Sequence, residues 1–528
     1  MTTRKFPLLH CLFTCLFCMA GGILLAQEKK TKRPNILFAI ADDQSFPHAG
    51  AYGQMVYKTP VFDSVAKHGI LFMNAFAAAP QCSPSRAAIL TGRQIWQLEE
   101  AGTHSSLFPK KFPVFTEALE QAGYHVGFTG KPWAPGNFKN SGWTKNPVGA
   151  EYNKQKLTAK PTTGISNVDY VANFQDFIEQ KTGDQPFFFW FGANEPHREY
   201  EPGSGGKSGL SLPDIQVPAF LPNTTLVKND LLDYALEIEW FDKQLGKMLQ
   251  VLEKAGELDN TIVIITADNG MRFPYAKANM QEFGTHVPLA ISGPGITTKG
   301  RKVNDLVGLI DIAPTCLEIA GLKAFNGISG KSLLPVFTSA KSGLVDASRQ
   351  YVLTGRERHS HARTDNMGYP SRAIRTHQYL YIKNYKSERW PLGDPPPTQV
   401  VSIVGNPGMK PITEGYEDID ASPTKTAMIK SKIENPLRFR LSFEKRGSEE
   451  LYDILADPFC MKNLADVVKM KPVLAKLSTQ LTELLIAQSD PRALSRGDVF
   501  DSYPRYGLMR PFDGFKEREQ YNPAFQNK

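Results

Sequence analysis

Two pairs of oxygen-bearing side chains stand at the ends of two similar apolar runs. Asn35-Ile36-Leu37-Phe38-Ala39-Ile40-Ala41 leads into Asp42-Asp43, and Thr261-Ile262-Val263-Ile264-Ile265-Thr266-Ala267 leads into Asp268-Asn269-Gly270. Three carboxylates and an amide form an all-oxygen donor set, which suits a hard cation such as Ca²⁺ better than Zn²⁺ or copper, whose sites draw on His and Cys. A lone Asp-Asp pair is more often a loop or a helix cap. Two pairs behind two strands carry more weight. Between them lies Cys82-Ser83-Pro84-Ser85-Arg86-Ala87-Ala88-Ile89-Leu90-Thr91-Gly92. Its bland reading is a buried cysteine opening a helix, with Pro84 near the first turn. The other reading is a reactive centre beside a metal.

Such residues need elements to hold them. Both apolar runs read as buried parallel strands that deliver their acids at the carboxyl end. Tyr124-His125-Val126-Gly127-Phe128-Thr129-Gly130 leads likewise into Lys131, and Pro186-Phe187-Phe188-Phe189-Trp190-Phe191-Gly192 stops just before Asn194-Glu195-Pro196-His197. Helical stretches lie between, Leu231 to Ala255 among them. Strands alternating with helices predict an α/β sheet, whose sites gather outside the strand carboxyl ends. Beyond about residue 365 the texture changes. Arg372 to Thr376 precedes the strand-like Tyr379 to Ile382, a Gly- and Pro-rich loop or insertion runs from Pro391 to Tyr416, and a last helix lies near Pro472 to Ala487. We expect a leader over 1–26, a catalytic domain over 31–365 and a smaller α+β domain with its tail over 366–528. The polar tail from Ser495 is expected to lie over the surface.

The chain has 528 residues and a formal charge of +8, or +6 once Arg4 and Lys5 leave with the leader. That length supports a large core and two or more domains. The mild positive excess suits a polyanionic substrate and is too small to argue for nucleic acid. Arg4-Lys5, an apolar run from Phe6 to Ala26 and polar Gln27-Glu28-Lys29-Lys30 read as a signal peptide. This predicts a periplasmic or secreted protein with no integral membrane span after cleavage; an uncleaved anchor is the competing reading. Three of the six cysteines lie in the leader, leaving Cys82, Cys316 and Cys460, so no disulfide framework is expected. Cys316 reads as a core residue of a helical run, and a Cys316–Cys460 bridge stays open.

The Cys82 to Gly92 stretch, Asp42-Asp43, Gly130-Lys131, Pro196-His197 and Asp268-Asn269-Gly270 together resemble the type I sulfatases. Pro196-His197-Arg198, Phe273-Pro274 and Leu451-Tyr452-Asp453 look most like the heparan N-sulfatase (sulfamidase) branch. The likeness runs from Arg33 to about Ala465. It implies an alkaline-phosphatase/sulfatase-like α/β fold, with a large mixed sheet flanked by helices and a smaller C-terminal α+β domain. It implies a formylglycine-generating maturase that reads the motif and converts Cys82 to Cα-formylglycine. The aldehyde hydrate offers one hydroxyl to attack sulfur and one to expel the product. It implies one Ca²⁺ on Asp42, Asp43, Asp268, Asn269 and the residue at 82. It also implies catalytic roles for Arg86, Lys131 and His197, with Lys277 on the sulfate. Preplaced cations stabilise a transferring sulfuryl group, and His197 has a suitable intrinsic pKa to protonate the leaving atom. Arg198, Arg358 and His359 are expected to face substrate, with Glu199 and His361 beside them.

The expected substrate is a sulfated carbohydrate, polymer or oligosaccharide, with heparan-type N-sulfoglucosamine as the alternative. A phosphonate or phosphate ester hydrolase of the same superfold and a non-catalytic binder of sulfated glycan are the competing functions. A binder has no need of the intact maturation motif. One departure bears on mechanism: the family commonly reads Gly-Lys-x-His, and this chain reads Gly130-Lys131-Pro132-Trp133. Trp133 accepts no proton. Either His104 or His125 substitutes, or metal and solvent carry that step, or activity is impaired.

Overall fold

β1 (Asn35–Ala41) is buried at every position, as its apolar run predicts for a strand paired on both edges. The computed structural model describes residues 32–397 and 414–510. β1 lies parallel to β5 (Phe187–Gly192) on one side and to β6 (Thr261–Ala267) on the other. β3 (His125–Gly130) continues in parallel beside β5, followed by β4 (Ala150–Glu151). On the far side β7 (His286–Ser292) runs antiparallel to β6, and β2 (Ile70–Phe76) antiparallel to β7. β8 (Arg301–Val303) and β9 (Val307–Gly308) pair in parallel with β2. The result is a nine-stranded mixed sheet ordered β4-β3-β5-β1-β6-β7-β2-β8, with β9 also on β2. This is the large mixed sheet that the motifs implied.

Register decides what meets at its carboxyl edge. Gly130 lies opposite Gly192, Gly192 opposite Ile40, and Ile40 opposite Thr266. Backbone bonds extend this ladder past the strands: Lys131 N to Gly192 O (2.6 Å), Asp42 N to Glu195 O (2.9 Å) and Asp268 N to Ala41 O (3.1 Å). Gly130 has φ +75°, and a Cβ there would sit 1.9 Å from Gly192 O. Only glycine lets β3 turn there and deliver Lys131.

The helix Cys82–Thr91 is buried along its whole length and ends at Gly92, which is left-handed (φ 67°) and donates its N–H to Ala88 O. The 30-residue helix Thr225–Lys254 contacts β1 and the helices Pro60–His68 and Tyr170–Glu179. Its start precedes the expected Leu231 by six residues because Thr224 caps it, accepting from Val227 N at 3.3 Å.

A second, antiparallel sheet runs β10 (Tyr351–Arg356), β11 (Ser371–Thr376), β12 (Tyr379–Asn384), β13 (Glu449–Asp453), with the helix Lys471–Ala487 against β11 and β12. The position 365/366 falls between β10 and β11 of this one sheet, and from Arg33 onward the chain forms one compact unit. Cys82, Cys316 and Cys460 are free and buried, so Cys316 and Cys460 do not pair. Residues 499–510 lie partly inside the molecule rather than wholly over its surface. Phe500 and Met509 are fully buried, because this segment gains backbone partners inside: Tyr506 N donates to Ser105 O (2.6 Å) and Ser106 Oγ to Pro504 O (2.6 Å). The leader over 1–26, most of the loop before Tyr416 and the last residues of the tail lie outside the described residues. Among the described residues no helix is long and apolar enough to cross a membrane.

Glu282 ties the two sheets together. It meets Arg375 Nε of β11 at 2.6 Å and His286 Nδ1 of β7 at 3.0 Å. Burial alone would raise its pKa, but Arg375 and then His286 outweigh that and bring it to about 2. A depressed carboxylate contributes stability that is present above its unfolded pKa and lost as pH falls through the folded one. Glu282→Gln is therefore expected to cost on the order of 3 kcal/mol at neutral pH. The gap between variant and wild type should close as pH drops from about 4.5 towards 2. Urea midpoints across that range test this; a gap independent of pH would count against the ionic tie.

Candidate active site

Four strand ends and one helix start converge on Cys82. Ligand atoms of Asp42, Asp43, Cys82 and Asp268 all lie within 4.8 Å of one another, and all four residues are buried. Asp42 follows β1 directly. Asp43, the next residue, turns at φ +77°, a strained conformation for a non-glycine residue that brings its carboxylate back towards the same point. Its backbone N–H donates to Asp268 Oδ1 at 3.1 Å. Asn269 donates from Nδ2 to Asp43 Oδ1 at 2.6 Å, while its Oδ1 is buried without a hydrogen-bond partner.

Cations surround the acids. Lys131 Nζ meets Asp42 Oδ2 at 2.5 Å, and Lys277 Nζ meets both oxygens of Asp43 at 2.6 and 2.7 Å and Cys82 Sγ at 3.2 Å. Arg86, fully buried in the helix that Cys82 opens, binds Asp268 Oδ2 through Nε at 2.7 Å and Lys131 O through Nη1 at 2.7 Å. Its Nη2 has no hydrogen-bond partner. Burial would raise Asp42, yet Lys131, His197, Arg86 and Lys277 hold it well below the usual carboxylate range. Asp268 is pushed up to about 6 by burial, against Arg86 and together with Asp42. Three carboxylates this close do not ionise equally without added positive charge. That sharing, the oxygen donors and the orphaned Asn269 Oδ1 fit a hard divalent cation.

His197 sits beside this cluster with 32% of its side chain open, Nε2 3.9 Å from Asp43 Oδ2. Its Nδ1 lies 2.7 Å from Arg198 O, and the ring also meets Arg272 Nη1, which can only donate. Burial, then Arg272, holds the ring well below the ordinary histidine pKa. Arg272 is a residue that sequence reading passed over. It contacts the His197 ring and Asp420, and its Nε is 3.6 Å from Asp43 Oδ2. Its place four residues after Asp268, on the same strand-end loop, was the available signal.

Two residues expected to face substrate have other partners. Arg198 grips Asp230 with both Nη atoms, at 2.6 and 2.8 Å, and is 8% exposed. It braces the Pro196-His197 loop against the helix Thr225–Lys254. Arg358 is fully buried and gives Nη2 to Tyr503 O (2.7 Å) and Pro504 O (3.2 Å) of the C-terminal segment. His359 stands 3.3 Å from Asp418 Oδ1, and Glu199 is exposed. Trp133 is buried; its Nε1 donates to Ser83 O at 3.1 Å, and its ring packs edge-on against Phe108. It steadies the first turn of the Cys82 helix. His125 lies at the amino end of β3, about 20 Å along the strand from Lys131, and stacks on Phe177. It does not reach the site. His104 does lie near it: Ser105, the next residue, donates its N–H to Ser83 Oγ at 3.1 Å.

The fold is alkaline-phosphatase-like, with Cys82 set among three buried carboxylates at the carboxyl edge of its mixed sheet. The sulfatase family model matches residues 34–322, more than half of the chain, and the chain belongs to that family of sulfuric ester hydrolases. A second model, described as N-sulphoglucosamine sulphohydrolase, C-terminal, matches residues 271–419. The human N-sulphoglucosamine sulphohydrolase is 28% identical over 521 residues, covering 90% of this chain and 94% of that one. An ulvan-active sulfatase of Formosa agariphila is 28% identical over 469 residues, covering 87% and 81%. Among solved structures, BT4656 in complex with D-glucosamine-2-N,6-O-disulfate has a TM-score of 0.60 at 20% identity, covering 87% of this chain and 99% of that one. The phosphonate monoester hydrolase of Agrobacterium radiobacter has a TM-score of 0.58 at 17% identity, covering 87% and 97%, which places it in the same fold.

The Arg198–Asp230 pair gives a direct test of bracing. Asp230→Asn removes the charge partner of a buried guanidinium and is expected to cost about 3–5 kcal/mol, read from urea unfolding. A cost below about 1 kcal/mol, typical of an exposed pair, would show that the pair does not hold the loop.

Proposed function

We propose that this protein is an exported sulfatase that removes sulfate groups from a sulfated carbohydrate, using formylglycine formed from Cys82 and one Ca²⁺. The observation that carries the reading is the convergence on position 82 of three carboxylates with Arg86, Lys131 and Lys277. Burial, then Asp42, pushes the Cys82 thiol up to about 12, so it stays protonated at neutral pH. A thiolate nucleophile needs the opposite surroundings. Conversion by a maturase fits the site better, and the hydrated aldehyde would supply paired hydroxyls for attack and release. Asp42, Asp43, Asp268 and Asn269 would hold Ca²⁺, which when bound polarises a sulfate oxygen and lowers the pKa of a neighbouring hydroxyl.

The chain's own residues do the rest. Lys131 and Lys277, which now pair with Asp42 and Asp43, would turn to sulfate oxygens where a cation held those carboxylates, and Arg86 Nη2, 3.7 Å from Asp42 Oδ1, has no hydrogen bond to give up. These cations stabilise the charge that spreads over the transferring group. An incoming sulfate adds negative charge beside His197, which raises its proton affinity and suits it to protonate the departing sugar oxygen or nitrogen. The N-sulfoglucosamine reading is favoured by the match to the N-sulphoglucosamine sulphohydrolase C-terminal model and by the human relative. The ulvan-active relative favours an O-sulfated polysaccharide.

Mass spectrometry of the Cys82 peptide from the native host is the first test. A loss of about 18 Da is expected, and an unmodified thiol in a host that matures other sulfatases would overturn the mechanism. Chelation by EGTA should lower both sulfate release and melting temperature, with Ca²⁺ restoring both; Zn²⁺ restoring them instead would reject the hard-cation assignment. Lys277→Ala is expected to lower kcat by about 10²–10³-fold, the scale of losing one transition-state donor. Turnover of N-sulfoglucosamine, O-sulfated oligosaccharides and phenylphosphonate esters separates the substrate classes.

A further inference from the structure

A second group of cationic and neutral polar side chains lies beside the Cys82 helix, assembled from three distant stretches. His104 comes from the loop that touches Ser83, His359 and His361 follow β10, and Arg505 belongs to the C-terminal segment. Arg505 binds them into one unit: its Nη1 donates to His104 O at 3.2 Å and also reaches His359 O. His104 Nδ1 lies 3.0 Å from the same His359 carbonyl, so Nδ1 carries the proton and Nε2 keeps its lone pair. The His104 and His359 rings meet edge-on at 4.5 Å.

The acids near this group are already engaged. Asp418 meets Arg363 at 2.6 Å, Arg356 at 2.8 Å and His359 at 3.3 Å, and Asp394 meets Arg510 at 3.0 Å. Arg505 is 4% exposed and bonds carbonyl oxygens; among the described residues no carboxylate lies within ion-pair distance of it. His361 is 8% exposed, and its buried Nδ1 has no hydrogen-bond partner. A buried guanidinium with no carboxylate in reach is costly unless an anion completes it, and so is a buried imidazole nitrogen without a partner. Burial, then Arg358, pushes Arg505 down to about 9, with only Asp418 opposing. Burial, then Arg505 and Arg510, brings His361 to about 3, so those guanidiniums act on its ring. Burial, then His359 and Arg505, holds His104 well below the ordinary histidine pKa, with Lys277 and Lys131 adding to it.

We propose that His104, His359, His361 and Arg505 form an anion subsite for a second negative group, sulfate or carboxylate, on the sugar whose sulfate is removed. The subsite rests on the sulfatase reading and deepens it. The C-terminal segment thereby becomes a specificity element, since Arg505 exists at the site only because that segment folds inward. His104 and His359 supply neutral donors and acceptors, and Arg505 supplies charge and planar geometry.

The test compares substrates that differ by one negative group. Glucosamine N-sulfate is set against glucosamine N,6-O-disulfate, and a uronate-bearing sulfated disaccharide against its carboxyl-reduced form. For wild type, kcat/KM should favour at least one doubly charged member by about tenfold or more, the scale of one charge-assisted contact. Whichever pair shows the preference identifies the second group. Arg505→Gln and His361→Gln should bring that ratio close to one, chiefly through KM, with Arg505→Lys recovering part of it. A ratio that survives in both variants overturns the proposal. So does an equal loss on both members of a pair with a lowered melting temperature, which marks a structural clamp. Calorimetric titration with inorganic sulfate provides a readout free of turnover, with two sites expected in wild type and one in Arg505→Gln. If wild type hydrolyses no sulfate ester but Arg505→Gln still loses a site, the catalytic reading fails and the subsite stands. If no site is lost, the subsite fails whatever the turnover.

Discussion

Three carboxylates are held within a few ångströms of one another in a dry interior, and most of the catalytic half of this molecule answers to that constraint. Asp42, Asp43 and Asp268 would repel one another strongly if left alone. The chain meets the cost with Arg86, Lys131 and Lys277, each on a different element and each paired to one of the acids. In-register parallel strands make this convergence possible, because Ile40, Gly192, Gly130 and Thr266 sit at one level across the sheet. A shift by one residue in any of those pairings would move a charge away from its partner and turn its side chain to the other face. Site electrostatics and sheet register are therefore one specification.

The same economy explains residues that look reactive but serve as braces. Arg198 stands next to His197 in sequence, yet its fork geometry is spent on Asp230, which fixes the loop that carries the histidine. Arg372 is locked between Asp490 and Glu357, and Arg492 also holds Glu357, so the acid of the Glu357-Arg358-His359 run serves the packing of the second sheet. Trp133 uses its indole N–H on a carbonyl of the helix that begins at Cys82. It contributes position where a histidine would contribute a proton acceptor. His125 stands at the opposite end of β3, whereas His197 and His104 lie near position 82.

The first sheet was legible in the sequence because its strands are short, continuous apolar runs with punctuated ends. β1 and β6 fall on the predicted residues, and β3 and β5 begin one residue later than expected. The candidate ligands were legible for the same reason: each follows a strand that could be seen to stop. β10 was less visible. Tyr351–Arg356 mixes polar and apolar residues and takes its strand character from antiparallel pairing with β11, a partner that local pattern does not disclose.

By itself, then, the sequence determined which atoms are available for chemistry and which strand end or helix start carries each. Those are local properties, set by apolar runs, by glycines such as Gly130 and Gly92, and by the spacing of Cys82 and Arg86. The tertiary structure decided which charges spend themselves on other protein groups and which are left for a ligand. Arg198, Arg358, Arg272 and Arg505 are the same residue type in sequence. They differ in what stands opposite: Asp230 for Arg198, backbone carbonyls for Arg358, His197 and Asp420 for Arg272, and for Arg505 carbonyls with no carboxylate in reach among the described residues; the partners come from segments 32 to 401 residues away. A guanidinium's role is fixed by what shares its low-dielectric surroundings, and that is settled only when the chain has folded.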